Sequence, residues 1–179
     1  MIKSYIYLFF VILILMFSSN SSAEKYGNWS MKYYLDEFGD ETDSKYLVIG
    51  DYEGSFSNSA TQGSLLYAMI LIDKNYIDEP YFKLFEYGSN PLQGYYSDGH
   101  RYTCNMKNSK DEKISMSLIM QKDWDFLDIQ SGNKSIFIDW MGREEYIKFS
   151  CFNKERQIEK YLFKIDFAGY NEAMSALKN

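Results

Sequence analysis

The sequence predicts a mainly β protein: a single antiparallel β-sandwich, or flattened barrel, with a short C-terminal α-helix packed on it. Three observations predict it. Short runs alternate apolar and polar side chains with period two, punctuated by clusters of Gly, Asn, Asp and Ser. Aromatic residues make up 18% of the chain, with 17 Tyr and 13 Phe against 2 Pro, which suits pleated, half-buried faces. Apolar residues at helical spacing stand out at the C-terminus, where Tyr170, Ala173, Met174 and Leu177 recur at i, i+3, i+4 and i+7.

The first element is not part of that fold. Lys3 precedes an apolar run from Tyr5 to Phe17, and small residues follow, with Ser21 and Ala23 at the −3 and −1 positions of a cleavage site. This is the layout of a secretory signal peptide over residues 1–23, cut after Ala23. The apolar run is shorter than the roughly 17–25 residues a bilayer span needs, so no stable span is expected after cleavage. The expected location is periplasmic or secreted. Residues 24–179 show no linker or charge block and read as a single domain.

Along that domain, residues 24–28 read as a leader and Trp29 to Leu35 as a first strand. Residues 36–44 form an acidic turn. Strands follow at Tyr46 to Tyr52 and at Leu65 to Asp73, the latter apolar enough to be buried on both faces. Between them, residues 53–63 are small and polar, with Phe56 available as an anchor. Tyr81 to Tyr87 places Phe82, Leu84 and Glu86 on one face before the turn residues Gly88 to Pro91. Arg101 to Lys107 and Ile114 to Gln121 make a hairpin. Trp124 to Ile129 is ambiguous. Turns at residues 131–134 and 141–144 bracket Ser135 to Trp140, read as a strand; Tyr146 to Phe152 and Tyr161 to Phe167 complete the set.

Cys104 shares a period-two face with Tyr102 and Met106, and Cys151 shares one with Ile147 and Phe149. In an oxidising compartment the pair reads as one disulfide, the alternative being two buried thiols.

The net charge of −6 disfavours nucleic acid as a partner. A recognition surface is expected on the stretch from Glu86 to Tyr102, where Tyr87, Tyr95, Tyr96, His100 and Tyr102 sit among Gly, Ser and Asn. Gly94 and Gly99 would permit its turns. The acidic turn, with Asp36, Glu37, Asp40, Glu41 and Asp43, raises the question of Ca²⁺, but its spacing does not fit a calcium loop; no metal site and no cofactor are assigned. No nucleophile motif surrounds the single histidine, and nothing singles out a carboxylate pair, so no catalytic residue is assigned. The expected function is a non-enzymatic binding module for an envelope or host protein, or for a glycan. The alternatives are a carbohydrate-binding or weakly hydrolytic domain and a purely structural envelope protein.

An early Trp29, many short strands and a last strand running into a helix (Phe163 to Leu177, FKIDFAGYNEAMSAL) make the chain similar to small exported bacterial β-sandwich proteins. In this outline it resembles the type VI secretion-associated TagO/VasI family and the invasion-associated locus B family. The resemblance implies an accessory role in secretion or host interaction, without catalysis. The chain departs from both families in cysteine placement and in the loop from Phe56 to Ser64, so no functional residue is carried over.

Overall fold

Four Asx side chains close four of the hairpins from which the molecule is built. The computed structural model describes residues 23–93, 99–156 and 158–179. Strands β1 (Glu24–Tyr26), β2 (Trp29–Leu35) and β3 (Glu41–Ser57) open the chain, followed by β4 (Ser64–Asp73), β5 (Tyr81–Glu86) and β6 (Asn90–Pro91). Then come β7 (His100–Asn108), β8 (Lys113–Met120) and β9 (Asp128–Gly132), helix α1 (Lys134–Arg143), β10 (Tyr146–Asn153), β11 (Lys160–Asp166) and helix α2 (Tyr170–Lys178). At the β2–β3 turn the Asp36 carboxylate accepts the N–H groups of Phe38 (2.8 Å) and Asp40 (2.9 Å). Asn58 does the same for Ala60 and Thr61, Asn108 for Lys110 and Glu112, and Asn153 for Glu155 and Arg156. A short side-chain acceptor aimed at the next backbone donors is why Asp and Asn favour these positions.

The strands form one antiparallel sheet in the order β6-β5-β4-β3-β11-β10-β7-β8-β9, with β1 and β2 attached beside β3. Seventeen-residue β3 pairs with β2 through its first half and with β11 through its second, while β4 runs along its other side. A register shift between Ile49 and Tyr52 bends it, as a bulge does. The sheet curls until β5 meets the segment ahead of β9. There Phe82 and Leu127 exchange backbone hydrogen bonds of 3.0 and 2.8 Å. The inner face is lined by Phe82, Phe149 and Phe163, and Phe137 of α1 stacks on Phe82 with ring centroids 5.6 Å apart. Side chains of this size each contribute about 1.5–3 kcal/mol when buried.

Cys104 and Cys151 face each other across β7 and β10, both buried and joined as a disulfide. Helix α2 packs against β1, β2 and β3, burying the expected stripe of Tyr170, Ala173, Met174 and Leu177. Phe56 is the buried anchor its position predicts.

Three expectations are corrected. Ser135 to Trp140 is helical, inside α1, and the turn expected at residues 141–144 falls largely within that helix. Phe137, Trp140 and Met141, at helical spacing, are the residues it buries, leaving Ile136 exposed. The leader is a short strand, β1, paired with β2. Residues 53–57 extend β3 rather than forming a loop, because β11 and β4 flank them and supply partners for their backbone.

Candidate functional site

One end of the curled sheet gathers inward-pointing polar groups. His100 and Tyr102 of the predicted surface lie within β7 and are buried, at 7% and 2% exposure. With Glu86 at the end of β5, Tyr161 at the start of β11, Glu159 and Arg156, they line a cavity of about 480 Å³. Tyr161 donates its hydroxyl to Glu86 at 2.9 Å. Asn153 donates to Glu159 at 2.8 Å, and Arg156 pairs with the same carboxylate at 3.2 Å. Burial, with Glu159 nearby, pushes the Glu86 carboxyl above its ordinary value against the lowering pull of the Tyr161 hydrogen bond. Burial likewise pushes the Tyr102 and Tyr161 hydroxyls upward. These contacts tie Tyr161 to Glu86, and Asn153 and Arg156 to Glu159, and make a polar floor more than a contact surface.

Tyr87 is half exposed, at a positive φ of 53° beside Gly88, and its ring meets Phe56 edge-on at 4.9 Å. Tyr95 and Tyr96, together with Gly94, lie outside the described residues.

A second hollow, about 460 Å³, lies on the outer face of β2 to β5 and the segment ahead of β9. Period-two geometry sends Trp29, Met31, Leu47, Ile49, Ile70 and Phe82 inward. The residues left outside are Tyr34, Tyr46, Leu71, Asp73, Tyr81 and Lys83, and these line the hollow with Tyr76, Asp125 and Phe126. The register makes them neighbours: Tyr46 is opposite Asp73, and Leu71 is opposite Tyr81. Tyr34 and Tyr46 lie with ring centroids 4.9 Å apart, Tyr81 meets Phe126 edge-on at 5.0 Å, and Trp124 stacks on Phe126 at 4.5 Å. Tyr34 and Tyr76 remain 44% and 60% exposed, so their rings are open to a ligand.

Polar groups frame these rings. Asp73 accepts the Tyr34 hydroxyl at 2.6 Å and the Asn75 N–H at 2.7 Å, and Lys83 pairs with Asp125 at 2.7 Å. Partial burial and the Asp73 carboxylate push the Tyr34 hydroxyl up; burial does the same at Tyr81. These phenols stay neutral donors at any physiological pH. Sequence reasoning missed this group, although tyrosines at the outward positions of three strands were its visible signal.

The acidic turn is a hairpin tip. The Asp36 carboxylate is spent on backbone donors, and among the described residues no three His, Cys, Asp or Glu side chains converge as a metal site. Nor, among them, is any helix long and apolar enough to cross a membrane. Comparison with protein-family models, curated proteins and solved structures finds no match to this chain.

Proposed function

We propose that the protein is an exported, non-enzymatic carbohydrate-binding module whose contact surface is the tyrosine-lined hollow on the outer face of β2 to β5. The observation that carries this reading is the grouping of partly open rings, Tyr34, Tyr46, Tyr76 and Tyr81, around Asp73 and Asp125. A sugar ring offers an apolar C–H face and a rim of hydroxyls. Tyrosine rings complement the first, and carboxylates accept from the second. Lys83 pairs with Asp125, and Asp73 accepts from Tyr34 and Asn75, so the hollow presents both donors and acceptors. Its volume lies within the range of small-molecule sites. The disulfide and the signal-like first 23 residues support export.

A glycan array probed with wild type and with Tyr34→Ala and Tyr76→Ala variants tests the reading. Binders lost in both variants are expected. An array without binders, or binders indifferent to both substitutions, contradicts it.

A further inference from the structure

The other half of the sheet carries a different outer surface. Lys164 of β11 lies directly opposite Lys148 of β10, Lys148 is opposite Lys107 of β7, and Lys107 is opposite Lys113 of β8. Four ammonium groups thus form a ladder across four neighbouring strands. At about 4.7–4.9 Å per strand it spans roughly 14 Å. Like charges directly opposed in a sheet are destabilising. Lysines do guard exposed sheet edges, but Lys148 and Lys107 have a paired strand on both sides at these positions, so edge protection does not explain the two central rungs. Two carboxylates only partly offset the ladder: Asp111 pairs with Lys107 at 2.5 Å, and Glu53 lines the far end. Lys164 sits 3.8 Å over the Tyr146 ring and Lys148 5.7 Å from it. The four lysines line a hollow of about 1080 Å³.

We infer that this hollow binds an acidic polysaccharide, a linear chain of uronate sugars laid across the strands. Charge complementarity selects an anion, and a ladder selects one whose charges repeat along a line. The row beside the lysines consists of Leu162, Ser150, Asn105 and Ser115, each opposite the next. It offers hydroxyls and an amide to sugar hydroxyls. The Tyr146 ring beside the ladder is covered by Lys164, which makes it a poor stacking platform for the bases of a single-stranded nucleic acid. An extended acidic peptide would present same-side carboxylates every second residue, at about 6.7 Å, and would seek a sheet edge rather than a face. This site faces outward from β7, β8, β10 and β11, and does not depend on the tyrosine-lined hollow.

The test is calorimetric titration of the purified protein with a short oligogalacturonate. Neutral maltodextrin, oligodeoxythymidylate and polyglutamate of similar length serve as comparisons. Oligogalacturonate is expected to bind best, more weakly as salt rises, with at least about a tenfold loss in Lys113→Glu and in Lys148→Glu. Lys178→Glu, which changes net charge equally on α2, should leave affinity unaltered. Lys148→Thr guards against misfolding: it should raise the melting temperature by relieving the ladder while weakening oligogalacturonate several-fold. Oligogalacturonate binding no tighter than maltodextrin, or indifferent to the ladder substitutions, overturns the inference. So does equal or tighter binding of oligodeoxythymidylate or polyglutamate.

Discussion

Tyr34 donates its hydroxyl to Asp73 at 2.6 Å, fastening β2 to the end of β4 and fixing one ring at the side of the tyrosine-lined hollow. The ring and the hydroxyl can be separated by mutation. Tyr34→Phe keeps the apolar face and loses the tie to Asp73, so saccharide affinity should fall only a few-fold. Tyr34→Ala removes the face and should reduce affinity at least about tenfold, in keeping with the value of stacked rings. Titration of any array-selected saccharide against both variants measures the two effects.

The Cys104–Cys151 bond closes a loop with a sequence separation of 47 inside the core. Restricting the unfolded chain over such a loop is worth about 4 kcal/mol in the entropic account, with strain lowering the realised figure. Reduction, or Cys104→Ala with Cys151→Ala, should therefore cost about 2–4 kcal/mol in denaturant unfolding. Intact-mass analysis after alkylation without reductant should find neither cysteine modified.

Gly39 and Gly169 share a φ of 86°, yet their surroundings differ. A Cβ at Gly39 meets nothing within 4 Å, whereas at Gly169 it would lie 2.2 Å from the Tyr26 carbonyl oxygen. Gly27 faces the same junction, where the β1–β2 turn is bonded to Ala168 through the Asn28 N–H at 2.9 Å. Gly39→Ala should cost about 1 kcal/mol, the left-handed penalty alone. Gly169→Ala should cost at least about 2 kcal/mol more, because backbone must separate. Thermal unfolding of the two variants isolates the contact from the dihedral.

Two carboxyls, Glu86 half-buried and Glu144 buried, give stability opposite dependences on pH. The Glu86 carboxyl is raised by burial, so the folded state holds its proton longer than the unfolded chain does. Its contribution is fullest below its ordinary 4.5 and is lost as pH rises through the higher folded value. The Glu144 carboxyl, bonded to Lys110 and Ser109 and close to Arg143, is lowered. Its contribution is present above 4.5 and is lost as pH falls through the lower folded value. Denaturant midpoints should thus show Glu86→Gln removing a decline on going towards neutrality, and Glu144→Gln removing a decline on acidification.

Much of the fold was legible because period-two patterns state directly which side chains face inward. The alternation Tyr102, Cys104, Met106 and Ile147, Phe149, Cys151 placed both sulfurs inside before any pairing was known. The stretch Ser135 to Trp140 was not legible in this way. SIFIDW is a short β-branched and aromatic run of the kind strands use, and only its three-residue spacing of Phe137 and Trp140, extended by Met141, marks the buried helical stripe. The tyrosine-lined hollow draws on segments as distant as Tyr34 and Phe126, and its neighbour relations depend on strand order, which composition does not encode. The lysine ladder is hidden for the same reason, since four solvent-facing lysines become a feature only when the register sets them opposite one another. Sequence reasoning favoured the Glu86 to Tyr102 stretch by composition. The structure puts its described aromatics other than Tyr87 inside, where Tyr102 helps form a polar floor.

The indole resonances offer the most direct test that the outer hollow is the binding surface. Of the chain's 3 Trp, Trp29 and Trp140 are buried at 0% and 2% exposure, while Trp124 stacks on Phe126 at the side of that hollow. In a nitrogen-15 NMR titration with an array-selected saccharide, the Trp124 indole signal should move to saturation while those of Trp29 and Trp140 stay fixed. A saturating saccharide that leaves Trp124 unmoved, or that shifts the buried indoles instead, would contradict the account.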